Sequence, residues 1–142
     1  MKLVSFFRLE SNEKSVFFQS LYWLWYFRVR LHHMPFNSLI QKAKDKSNHC
    51  LLKSKPTNLT VNRAAWFVNR ASHFVPDTTC LVVAFAGKVV LSIHGHETTL
   101  VIGVKKGDSN EILSHAWLEH GGQIIIGNLG DIDQYLQITK FG

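Results

Sequence analysis

The sequence predicts an α+β fold: a run of helices, then a small antiparallel sheet, with a nucleophilic cysteine at the start of the last helix. Three features of the chain carry this. Up to Ile93 the apolar residues recur at helical spacing between proline stops. From Thr98 onward the period drops to two and β-branched residues dominate. Between two of these later runs stands Gly121-Gly122, the pair a tight hairpin turn favours.

The first helix is read over Glu13 to His32, a stretch with no Gly or Pro. Phe17, Phe18, Leu21, Tyr22, Trp23, Leu24, Trp25, Tyr26 and Phe27 put apolar surface on nearly every side of it. One small domain cannot cover all of that. Part of it is therefore expected to dock on a partner protein or a membrane interface. Its apolar core, Val16 to Phe27, is interrupted by Gln19 and Ser20 and is too short to span a bilayer. Pro35 ends this helix, and Asn37 or Ser38 caps a short second one to Lys46. The polar, basic stretch Ser47 to Asn58, with Pro56, reads as a connecting loop. Thr60 caps a helix through His73, and Pro76 stops it. One of Asp77, Thr78 and Thr79 caps the next, from Cys80 to Ile93, and Gly95 terminates that. Strands are expected over Thr98–Val104, Ile112–His120 and Gln123–Ile126. Asp131 to Gln134 forms a short turn before a last strand or tail over Tyr135–Ile138.

A length of 142 residues suits one compact domain with a real core, and 46% hydrophobic residues is ordinary for a globular chain. The formal net charge is +6, but the lysines and arginines are spread over the N-terminal half. They read as a solvated basic face, and no nucleic-acid partner is expected. Two cysteines, Cys50 and Cys80, make no disulfide framework. Met1–Phe7, followed by Arg8 and Glu10, lacks the apolar region and cleavage site of a signal peptide. A reducing, cytoplasmic setting fits best.

The chemistry is carried by Cys80 and His115. A thiolate is the reactive form of cysteine, and a helix N-terminus with a nearby imidazole favours it. The first-turn N–H groups of the same helix offer donors for a developing oxyanion. If Gly121-Gly122 is a two-residue loop, His120 pairs with Gln123 and Asn128 falls across from His115, where its side chain can fix the imidazole tautomer. A three-residue loop puts Gly127 there instead. Asp131 and Asp133 are the nearby carboxylates, so Asn128 and Asp131 compete for the third catalytic role. Glu119, on the same strand face as His115, is either a surface residue or a substrate contact. His94-Gly95-His96-Glu97 sits at a turn where alternate side chains diverge, so no metal site is expected. No Gly-rich phosphate loop appears and no cofactor is expected.

Val75-Pro76 ahead of Cys80-Leu81-Val82-Val83-Ala84, then Leu100-Val101-Ile102-Gly103-Val104, then Ser114-His115-Ala116-Trp117-Leu118-Glu119 with Gly122 behind it, resembles the transglutaminase-like leader peptidases of lasso-peptide biosynthesis. The aromatic, Arg-punctuated helix ending near Pro35-Phe36 and the Ala65-Trp66-Phe67-Val68 helix fit that family too. The resemblance implies a transglutaminase-like or papain-like fold, with an N-terminal helical region over 1–58 and a catalytic core over 59–142. It implies Cys80 as nucleophile, His115 as general base and acid, and hydrolysis of the leader–core bond of a precursor peptide. The family's usual third member is an Asp on the strand after the His; here Gly127-Asn128 occupies that neighbourhood. Its leader-recognition module has no counterpart in this sequence, so a separate recognition protein is implied as partner, with an ATP-dependent lasso cyclase acting next. An acyltransferase using the same residues, or a non-catalytic scaffold subunit of the maturation complex, are the rival readings.

Overall fold

The computed structural model describes residues 11–54 and 59–141. The N-terminal residues read for a signal peptide, and Pro56 in the expected loop, lie outside that set. Four helices, α1 (Ser11–Leu31), α2 (Phe36–Leu52), α3 (Val61–Ser72) and α4 (Cys80–Ile93), precede a four-stranded antiparallel sheet. The strands are β1 (Thr99–Lys106), β2 (Ile112–His120), β3 (Gln123–Ile126) and β4 (Leu136–Phe141), in spatial order β3-β2-β1-β4. The α+β plan expected from the change of period is the one observed.

Helix α4 is the centre of the packing. Val82 and every residue from Ala84 to Ser92 are buried, and α1, α2, α3 and β2 all pack on it. The threonines before α3 and α4 act as caps: Thr60 accepts from Arg63 N and Thr79 from Val82 N. Helix α1 divides as a helix apolar all round must. Val16, Ser20, Leu24 and Phe27 turn inward, while Phe18, Tyr22, Trp25 and Val29 stay exposed.

Helix α2 begins after Pro35, which caps it without a side-chain bond, and runs on to Leu52, beyond the expected end at Lys46. No Gly or Pro interrupts Ser38–Leu52, and Leu39, Ala43 and Ser47 lie buried at four-residue spacing against α4. The first part of the expected loop is therefore helix. Cys50 sits on it half-buried, and burial pushes its thiol above the ordinary range.

The sheet has two distinct faces. Leu100, Ile102, Ala116 and Leu118 join the helical core, whereas Val101, Gly103, His115 and Trp117 face the other way, under Tyr135. One charge is sealed into the helix-side packing. Lys88 is 1% exposed, and its Nζ donates to the Thr98 carbonyl at 2.6 Å. Burial pushes its pKa from 10.5 down to about 8, with Glu97 opposing and Lys44 adding to the shift.

A folded-state pKa below the unfolded one destabilises the fold fully below pH 8. The penalty fades as pH rises through the interval between the two values. Lys88→Met removes that penalty and loses one hydrogen bond. It is expected to be more stable than wild type by roughly 1–2 kcal/mol near neutral pH. Urea denaturation should show this advantage shrinking as the pH approaches 10.5; a constant difference would contradict the assignment.

Candidate active site

Cys80 is the first residue of α4 and is exposed, although nearly all of the helix behind it is buried. The chain is held on its approach. Val75 is buried, Arg28 of α1 donates through Nε to the Pro76 carbonyl and pairs with Asp77 at 3.4 Å, and the Thr78 hydroxyl donates to the Ser72 carbonyl at 3.4 Å. Asp77 adopts a positive φ of 58°, so the turn into the helix is sharp. Thr79 occupies two first-turn donors, its hydroxyl taking Val82 N and its carbonyl Val83 N. Among the described residues, the N–H groups of Cys80 and Leu81 have no acceptor, as expected at a helix start. They are donors available beside the sulfur.

His115 lies on β2 across from Gly103 and is 8% exposed. Its ring stacks on Trp117, with centroids 6.0 Å apart and planes at 23°, and leans on Tyr135. Nε2 lies 2.6 Å from the carbonyl oxygen of Gly127. A carbonyl only accepts, so Nε2 carries the proton and Nδ1 of the neutral ring keeps its lone pair. Nδ1 has no hydrogen-bond partner among the described residues.

The position of that carbonyl comes from an irregular register. The two-residue hairpin forms as expected, with His120 opposite Gln123 and Glu119 opposite Ile124, but Leu118 then pairs with Ile126. A bulge at this point takes up one extra residue, and the strand ends at Ile126. The expected pairing of Asn128 with His115 is therefore not formed. Asn128 is exposed, and its Oδ1 accepts from Gly130 N at 3.0 Å, closing a local turn. Gly127 is needed where it stands: φ is +87°, and a Cβ would sit 2.9 Å from the Ala116 carbonyl oxygen.

Asp131 does not hydrogen-bond to His115. Its Oδ2 is paired with Lys105, and its Oδ1 is buried without a partner. The Lys105 hydrogen bond holds this carboxyl below the usual carboxylate range, and the nearby His115 ring adds to the effect. Asp133 lies on the short 3-10 turn Ile132–Gln134 and is exposed.

Several contributors were invisible to spacing. Glu119 accepts from the indole N–H of fully buried Trp117 at 2.9 Å, which explains why a carboxylate stands two positions beyond the Trp on one strand face. Gly103 makes room for that indole, since a Cβ there would lie 2.9 Å from Trp117 Cη2. Sequence spacing identifies neither Tyr135 nor Lys105.

Cys80 and His115 share no hydrogen bond. Helix α4 packs on β2, yet alternation turns Ala116 and Leu118 to the helix side and His115 to the other face. Of the remaining histidines, His94 bonds to Gln19 and His96 to the Leu59 carbonyl. Among the described residues, no three His, Cys, Asp or Glu side chains are grouped to hold a metal ion.

A cysteine opening the last of four helices, ahead of a small antiparallel sheet, is an α+β plan that suits cysteine-dependent acyl transfer. A family model described as the transglutaminase-like superfamily matches residues 23–140, and the chain belongs to that superfamily, whose activities are of the cysteine peptidase and acyltransferase type. Neither the curated proteins nor the solved structures yielded a match. No helix among the described residues is long and apolar enough to cross a membrane.

The His115–Gly127 bond predicts a single tautomer. Long-range ¹H–¹⁵N NMR should show His115 protonated at Nε2 in the wild type. In Gly127→Ala that preference should be lost, with a destabilisation of about 1–3 kcal/mol from the forced positive φ. Asn128→Ala should leave the tautomer in place.

Proposed function

We propose that this protein is a cysteine peptidase that removes the leader from a lasso-peptide precursor through an acyl-enzyme thioester. The observation that carries this reading is Cys80: exposed, fixed at the N-terminus of a buried helix, with the Cys80 and Leu81 amides open beside it. The His-Ala-Trp-Leu-Glu run over 115–119 and the superfamily membership support it.

In this reading Nδ1 of His115 takes the thiol proton and the thiolate adds to the scissile carbonyl. The two open amides hold the oxyanion. The imidazolium, its Nε2–H still on the Gly127 carbonyl, then gives its proton to the departing core amine. Water attacks the thioester next, with His115 again as base, and the leader leaves as a free carboxylate. Asp131, negative and close to His115, favours the imidazolium stage without touching it. No hydrogen bond joins the thiol to Nδ1, so in this reading the bound peptide has to bring them together.

A separate recognition protein delivers the leader, and an ATP-dependent cyclase closes the ring on the freed core. The exposed face of α1, where Arg28 lies over Trp25 and Arg30 over Tyr26, is the surface proposed to dock a partner. A non-catalytic scaffold is the second reading, favoured by the missing Cys80–His115 hydrogen bond.

Mass spectrometry of a candidate precursor incubated with the protein and its recognition partner separates these. Wild type should cut one bond with water added, and Cys80→Ala should not. His115→Ala should lose about 10²–10⁴-fold in rate. Asp131→Asn should lose about tenfold, roughly 1.4 kcal/mol, while Asn128→Ala stays within about threefold of wild type. An amide-linked product would indicate acyl transfer to an amine, and no turnover in an assembled complex would favour the scaffold.

A further inference from the structure

A cavity of about 360 Å³ lies at the end of α4 remote from Cys80. Lys88 is eight positions along the helix, about 12 Å at 1.5 Å per residue. Ser47, Lys88, Glu97, Thr98, Glu119 and His120 are among the residues lining it.

The buried side of this cavity has donors to spare. No carboxylate lies within ion-pair distance of Lys88 Nζ among the described residues, and only one of its three N–H groups has an acceptor, the Thr98 carbonyl. The Thr98 hydroxyl is buried and has no partner, in a residue 5% exposed. Ser92 donates to the Lys88 carbonyl at 2.8 Å, so in the 2.6 Å Ser47–Ser92 contact Ser47 is the donor. An ammonium and a hydroxyl left this way are costly unless something supplies oxygen atoms.

Carboxylates line the same cavity. Glu97 is exposed and forms no ion pair among the described residues. Glu119 holds the Trp117 indole through one oxygen, and the other lies 3.9 Å from Lys140. His120 is anchored through Nδ1 to the Glu97 carbonyl at 2.7 Å, which ties β2 to the Glu97 backbone. A simple anion would meet these carboxylates unfavourably, and a simple amine would meet Lys88. A molecule negative at one end and positive at the other satisfies both.

We propose that this cavity binds a free amino acid, with its carboxylate on Lys88 and Thr98 and its ammonium on Glu97, Glu119 lying behind. The site is separate from the Cys80 end and does not depend on the peptidase reading. Lysine belongs in the same class, since its second ammonium can remain in solvent.

Calorimetric titration of the full chain with acetate, methylammonium, glycine, 4-aminobutyrate and lysine tests this. At least one amino acid should bind at least about tenfold more tightly than acetate or methylammonium. Lys88→Met should weaken that binding about tenfold or more, and Glu97→Gln should weaken the amino acid while leaving acetate no weaker than in wild type. Cys80→Ala should bind as wild type. Equal affinity for acetate and every amino acid, no heat from any of them, or unchanged binding in Lys88→Met would overturn the proposal. Should Lys88→Met fail to fold, Glu97→Gln at the exposed end decides: unaltered amino-acid affinity would overturn it.

Discussion

Helix α4 is enclosed from Ala84 to Ser92, and the rest of the molecule is arranged around that burial. Its small and β-branched residues let three helices and the sheet approach together. Ordering these elements costs conformational entropy, and the area they bury on α4 is the main opposing term. The helix start is exposed. Cys80 stands there, exposed because the chain must enter from outside, and kept in place because Thr79 caps the helix and Arg28 grips the turn before it. An exposed thiol on a rigid element is a direct product of how the core is closed.

The sheet supplies the second constraint through its irregularity. An undisturbed hairpin would set a side chain across from His115. The bulge between Leu118 and Glu119 consumes a residue, and a main-chain carbonyl, that of Gly127, meets the imidazole instead. A backbone acceptor fixes the tautomer as well as an asparagine would, but it brings no formal charge. The nearby carboxylate, Asp131, is paired with Lys105, which holds it ionised. The ring is thus oriented by a glycine carbonyl, and the carboxylate near it does not touch it.

The order of elements, the cap at Thr60, a cap within Asp77–Thr79, the hairpin at Gly121-Gly122 and the helix-start position of Cys80 were all legible in the sequence, because each rests on local chemistry. Periodicity also showed that α1 had more apolar surface than one core could hide. What escaped depended on partners distant in sequence or on main-chain atoms. The bulge has no side-chain signature, so the Asn128 register was out of reach. Ser47 reads as loop until it is seen packed against Ser92. Lys88 interrupts an otherwise apolar helix, and only the packing shows that its ammonium stays inside. Glu119 looked like a surface residue because its partner, the Trp117 indole, lies on the same strand and needs the fold to be buried.

The proposed chemistry requires Cys80 and His115 to act at one peptide bond although no hydrogen bond joins them. A short bifunctional alkylating reagent, 1,3-dibromoacetone, tests this directly, since its two reactive carbons can bridge a thiol and an imidazole only when both reach the same small volume. After reaction with the native protein and proteolysis, mass spectrometry should find the peptides of Cys80 and His115 joined through one three-carbon bridge. Cys80 alkylated at one end, with His115 unmodified throughout, would contradict the shared site and leave the thiol without its base.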